Sequence, residues 1–260
     1  MVETLLTVDS LVKRFGAVIA SDQLSLEVAQ GELHALIGPN GAGKTTAINQ
    51  LCGEILPDSG TIRFEGRDIT RMPVHRRARL GLGRSYQITS VFEHLTVREN
   101  FSLAIQAHSG HSFRFWKKAV DDPVLGPAIL PAMTRMGLEA RANIPASHLS
   151  HGEKRQLEVG MALAGHPKLL LLDEPYAGMG PGGAVELTKL IRRLKSEVTI
   201  LLVEHDMNAV FALADRITVL VYGQAIASGT PEDIRNDHLV RQAYLGDEIG
   251  ENLHSGIQQI

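Results

Sequence analysis

Gly38-Pro39-Asn40-Gly41-Ala42-Gly43-Lys44-Thr45-Thr46 fits the pattern G-x-x-x-x-G-K-[ST] at every fixed position, and its reading decides the rest of the chain. Residues 32–37 form a short apolar run that ends at the loop, and residues 45–52 can open a helix. Strand, glycine loop and helix in that order predict a phosphate-binding P-loop. Glycines at 38, 41 and 43 leave room for phosphate and let successive backbone N–H groups point inward. The helix start adds its positive end. Lys44 is placed to meet the β- and γ-phosphates as a point charge, and the Thr45 hydroxyl to hold the Mg²⁺ that accompanies them.

At 260 residues the chain is long enough for one large domain or a domain with an inserted lobe. A formal net charge of −3 gives no bulk reason to expect nucleic acid as the main partner. Cys52 is the single cysteine, which rules out an intrachain disulfide and fits a small buried hydrophobe in a reducing cytosol. Residues 1–6 carry an acid where a secretory signal has basic residues, so no such signal is expected. No apolar run approaches the roughly 18 residues that span a bilayer. Membrane association is therefore expected only through a partner or the surface.

Residues 6–12 and 24–28 read as strands of an antiparallel hairpin, with Phe15-Gly16 and Ser21-Asp22 suited to turns. Phe15 either stacks on a nucleotide base or anchors a turn in the core; the residues alone leave both open. Residues 61–66 read as a further strand, and His75-Arg76-Arg77-Ala78-Arg79 as a solvated helix face. Gly81-Leu82-Gly83-Arg84-Ser85-Tyr86-Gln87 reads as a strand that delivers Gln87 at its end. From 88 to 147 the periodicity turns helical, with Thr96 and Glu99 spaced as a capping box. The basic and aromatic residues of the 106–131 insert fit a surface helix with one packed aromatic face better than a lipid or RNA site.

Leu149-Ser150-His151-Gly152-Glu153 opens a helix with Ser150 as N-cap, and such an end can bind an anion. Leu169-Leu170-Leu171-Leu172 lacks alternation, as a central parallel strand buried on both faces does, and runs into Asp173-Glu174-Pro175. Residues 184–195 look helical, and 198–203 form a second buried strand ending in Glu204-His205-Asp206. Residues 217–221 and 225–227 suit a hairpin turning at Tyr222-Gly223-Gln224, and 246–260 a loosely held tail. Ligands of open parallel sheets bind outside the carboxyl ends of strands, which would gather the P-loop, Asp173-Glu174 and His205 around one triphosphate. Asp173 would then hold Mg²⁺, directly or through water, and Glu174 would act as general base for the attacking water.

The ordered set of P-loop, Gln87, Leu149–Glu153, Leu169–Pro175 and His205 resembles the nucleotide-binding subunits of ABC transporters over nearly the whole chain. The resemblance implies an α/β fold: a RecA-like P-loop NTPase core with an antiparallel β subdomain and an inserted α-helical subdomain. Along the chain this gives the β subdomain and P-loop part of the core in 1–87, a helical subdomain in 88–150, the remaining core in 151–246 and a tail in 247–260. It further implies ATP hydrolysis at a composite site, in which two cassettes, identical or paralogous, pack head to tail. Ser150 and Gly152 would contact the partner's γ-phosphate. Phe15 becomes the base-stacking aromatic, Gln87 a Mg²⁺ and water ligand facing the membrane subunit, and His205 the γ-phosphate switch.

Two departures from the family pattern stand out. His151 and Glu153 replace a glycine and a glutamine of the common signature, and Gly180 stands where an aspartate is frequent. The segments Arg84–Gln87, Val203–Met207, Ala227–Pro231 and Ala243–Gly246 resemble importers of branched-chain amino acids and related amides such as urea. Lipopolysaccharide-export ATPases share the Tyr-Leu-Gly ending. Permease subunits, a second cassette and a solute-binding protein follow as partners, on the cytoplasmic face of the inner membrane. ABC-type ATPases acting on nucleic acid or ribosomes form the rival class; their paired cassettes or long coiled coils do not occur here.

Overall fold

A computed structural model describes residues 3–85, 91–108 and 126–244. It divides into two compact units: one drawn from both ends of the chain, up to Val74 and from Thr199 onward, the other from His75–Val198. Gln87, residues 109–125 of the insert and the 247–260 tail lie outside the described residues.

In the first unit, β1 (Thr4–Phe15) and β2 (Val18–Ala29) pair antiparallel around a turn at Gly16-Ala17, with Phe15 opposite Val18. Both strands are longer than their apolar alternation indicates, and Ser21-Asp22 lies inside β2 rather than in a turn. Ser21 tolerates full burial there because its hydroxyl donates to Gln50 Oε1 at 2.7 Å. β4 (Ser59–Phe64) pairs with β1, and β5 (Arg67–Asp68) with β4, giving the order β2-β1-β4-β5.

A second set of strands runs β10 (Gln224–Gly229), β9 (Arg216–Val221), β3 (Leu33–Ile37), β8 (Thr199–Val203), with β9 and β8 parallel to β3 and β10 antiparallel to β9. All five residues of β3 and of β8 are buried, as unbroken apolar runs demand. His34 is accommodated on β3 by Glu32 Oε1 at 3.0 Å and Thr218 Oγ1 at 2.8 Å. α1 (Lys44–Cys52) follows the glycine loop and ends on Gly53 in the left-handed conformation; Cys52 is buried. α7 (Met207–Leu213) is capped by Asp206, and α8 (Pro231–Asn236) by a Thr230/Asp233 capping box that leads into α9 (His238–Tyr244).

In the second unit, β6 (Leu82–Ser85) and β7 (Leu169–Asp173) are parallel, and every residue of β7 is buried. α3 (Val97–His108), α4 (Gly126–Met136) and α5 (His151–Leu163) pack on one another around the fully buried Phe101. Gly160 permits that approach: a Cβ there would sit 2.6 Å from the Phe101 ring and from the Met136 side chain. The expected capping box forms at α3, where Thr96 N–H donates to Glu99 Oε2 at 2.9 Å and the Glu99 amide to Thr96 Oγ1 at 3.2 Å. α6 (Pro181–Leu194) starts with proline, pre-set for a first turn. The basic run on α2 (Val74–Leu80) is only partly a solvated face. His75, Arg76 and Arg79 are exposed, but Arg77 turns inward and is buried.

Candidate functional site

In the first unit the glycine loop lies where two other segments press on it. At Gly43, with φ +102, a Cβ would collide with the main-chain oxygen of Ala20 in β2; at Gly38 it would collide with that of Leu220 in β9. The Gly223 amide, in the turn between β9 and β10, donates to Ala42 O at 2.8 Å, and Gly223 O accepts from Asp22 N–H at 2.9 Å. Sequence reasoning missed Ala20, Leu220 and Gly223 as supports of the loop; only the glycine of the hairpin turn gave a signal.

Lys44 is buried, and its ammonium donates to the carbonyls of Gly38 at 2.7 Å and Pro39 at 3.1 Å. It lies across the loop, held by the loop's own main chain. Thr45 is exposed and Thr46 half-buried; Pro39, Asn40 and Gly41 face outward to differing degrees, with Ala42 beneath them. Phe15 is 48% exposed, so it is no core anchor, and Lys13 Nζ stands 5.5 Å from its ring centre. His205 follows β8 with its side chain 57% exposed. Below it Glu204 is fully buried and accepts from the amides of His205 at 2.9 Å and Asp206 at 3.3 Å, bracing the backbone that presents the imidazole.

In the second unit Asp173 closes β7, buried, with Arg84 Nη2 3.1 Å from its Oδ2. Burial pushes the Asp173 carboxyl above the usual carboxylate range; Arg84 pulls against that shift and the neighbouring Glu174 charge adds to it. Oδ1 is buried and has no hydrogen-bond partner among the described residues. An unpaired carboxylate oxygen is a hard donor that suits Mg²⁺. Among the described residues no three His, Cys, Asp or Glu side chains group to hold a metal by themselves. Glu174 is half-buried with φ +44, a conformation costly for a non-glycine residue and frequent at functional sites.

Ser150 N-caps α5 as expected: its hydroxyl accepts from the Glu153 amide at 3.3 Å and donates to Glu153 Oε2 at 2.9 Å. Arg141 Nε holds the other Glu153 oxygen at 2.7 Å. Burial pushes Glu153 up, but the Ser150 amide, Arg141 and the Ser150 hydroxyl together outweigh it and hold the carboxyl below its ordinary value. Glu153 thus fills the N3 place of the box while Gly152 keeps the helix start open. Gly180 caps α6 without a side-chain hydrogen bond.

A phosphate-cradling loop between a buried strand and a helix, in an α/β fold, defines a P-loop nucleotide-binding protein. The model of the family described as ABC transporter matches residues 21–177, and that of the branched-chain amino acid ATP-binding cassette transporter matches residues 226–249. The chain is 40% identical to the high-affinity branched-chain amino acid transport ATP-binding protein LivG of Salmonella typhimurium, over 95% of this chain and all of LivG. It is 37% identical to the corresponding BraF of Pseudomonas aeruginosa, over 95% of this chain and all of BraF. Among solved structures, the ADP conformation of MJ1267, an ATP-binding cassette of an ABC transporter, is similar with a TM-score of 0.81 at 30% identity, covering 94% of this chain and 99% of that one. The chain belongs to the ABC transporter family as an ATP-binding subunit: an ATPase cassette of a kind that pairs with another cassette and with membrane permease subunits. No helix among the described residues is long and apolar enough to cross a membrane.

Proposed function

We propose that this cassette powers import of branched-chain amino acids, hydrolysing ATP on the cytoplasmic face of the inner membrane beneath permeases fed by a solute-binding protein. The observation that carries the solute class is the match of residues 226–249 to the branched-chain amino acid cassette model, outside the nucleotide motifs common to all cassettes. The names of the relatives point the same way.

In this reading the loop amides of residues 38–46 and Lys44 take the phosphates, Phe15 stacks on the base, and Thr45, Gln87 and Asp173 hold Mg²⁺. When bound, the cation neutralises charge developing on the β- and γ-phosphate oxygens. Glu174 accepts a proton from the water whose oxygen attacks the γ-phosphorus while the bond to the β–γ bridging oxygen breaks and ADP leaves, and His205 donates to the γ-phosphate. Ser150 and Gly152 close the site of a second cassette, identical or paralogous. Supporting these roles are the exposure of Phe15 and His205, the loop-held ammonium of Lys44 and the Asp173 oxygen that has no hydrogen-bond partner among the described residues. The division into residues 1–87, 88–150, 151–246 and 247–260 remains our assignment by motif.

The test is to tag Glu174→Gln, trap the complex with ATP in detergent-solubilised native membranes and identify what co-purifies. Permeases with a second cassette, alongside a branched-chain amino acid binding protein, are the expected outcome. Recovery only with ribosomes or DNA would overturn the transport reading.

A further inference from the structure

Arg84 has no part in the roles above, yet its largely buried side chain lies against one of them. On the parallel pair β6–β7 it lies opposite Leu171, with Ser85 opposite Leu172, so its side chain reaches forward to the strand end. Nη2 meets Asp173 Oδ2 at 3.1 Å, the two side chains being 10% and 2% exposed. The two oxygens of one carboxylate are thereby made unequal. Oδ2 has a charged donor, while Oδ1, equally buried, has no hydrogen-bond partner among the described residues.

The terminal torsion of aspartate is soft and nearly two-fold, so nothing intrinsic fixes which oxygen faces which way. A guanidinium donor in a low-dielectric setting does fix it. Its planar fork supplies a direction that a lysine ammonium, a rotating point charge, does not. Arg155 also acts electrostatically on Asp173 but is engaged at 2.7 Å with Glu158, and Glu174 adds a like charge beside it. Arg84 donates to Asp173 directly.

We propose that Arg84 is a positioning residue: by clamping Oδ2 it reserves Oδ1 of Asp173 for the magnesium ion that accompanies ATP. The inference rests on Asp173 being a ligand of that ion. It is tested on the full chain by equilibrium binding of a fluorescent ATP analogue, with Mg²⁺ and with EDTA, in the parent, Arg84→Ala, Arg84→Lys and Asp173→Asn, with thermal melts to verify folding. The ratio of the two affinities reports how much Mg²⁺ tightens binding. Arg84→Ala is expected to cut that ratio about tenfold and Arg84→Lys about threefold, with EDTA binding within about twofold of the parent. A folded Arg84→Ala with the parent ratio, or with equal losses in Mg²⁺ and EDTA, overturns the proposal. Should the alanine variant not fold, an unchanged ratio in Arg84→Lys does so instead. Asp173→Asn separates the two layers: an unchanged ratio there removes Asp173 as a ligand, whereas a lowered ratio there beside an unchanged one in Arg84→Ala removes only the role of Arg84.

Discussion

The ammonium of Lys44 is held by the carbonyls of Gly38 and Pro39, which aim it within the loop. Lys44→Ala is therefore expected to weaken ATP binding by about tenfold or more, read by equilibrium binding; unchanged affinity would contradict the aimed-cation account. Gly43→Ala meets two obstacles, φ +102 and the Ala20 oxygen, and should lower stability by about 3 kcal/mol, seen in thermal or urea melts. The loop itself was legible because its chemistry is contiguous in the chain. Arg84 with Asp173, and Gly43 with Ala20, join residues distant in sequence, and no local pattern announces such pairs. Arg77 shows the same limit: in a row of basic residues on one helical turn, the chain alone does not tell which one turns inward.

At the scale of elements, caps and buried runs were the readable features. The Ser150 N-cap, the Thr96/Glu99 capping box and the leucine run of β7 form as their patterns require. Thr230-Pro231-Glu232-Asp233 carried an equally clear start signal for α8 that our reading of the sequence passed over. The ends of β1 and β2 were less legible, since polar residues such as Ser21 enter the strand once a distant partner, Gln50, satisfies them. Glu153→Ala should cost about 1 kcal/mol at neutral pH. Because the folded carboxyl lies below its ordinary value of 4.5, the folded state binds fewer protons than the unfolded chain in the acid range. The stabilisation is thus complete above about pH 4.5 and lost as pH falls through the lowered value. Melting the parent and Glu153→Ala across that range should show a constant gap above it that closes below; a gap independent of pH would deny the ionised cap.

For the molecule as a whole, Glu174→Gln should retain nucleotide while slowing phosphate release from the reconstituted transporter at least about a hundredfold, and turnover near the parent rate would remove Glu174 as base. Such a measurement belongs to the complex, because in the proposed reading a second cassette closes the site. The support of the glycine loop has a different consequence, one that concerns synthesis. Ala20 is made before the loop, but Leu220 and the Gly223 amide that holds Ala42 come only near the far end of the chain. At about 5–20 residues per second the ribosome needs roughly 10–40 s to travel from the loop to that turn. During that interval the emerging polypeptide carries a complete phosphate-binding motif without its brace. Nascent chains stalled before β9 should accordingly fail to retain ATP, and those released beyond β10 should hold it.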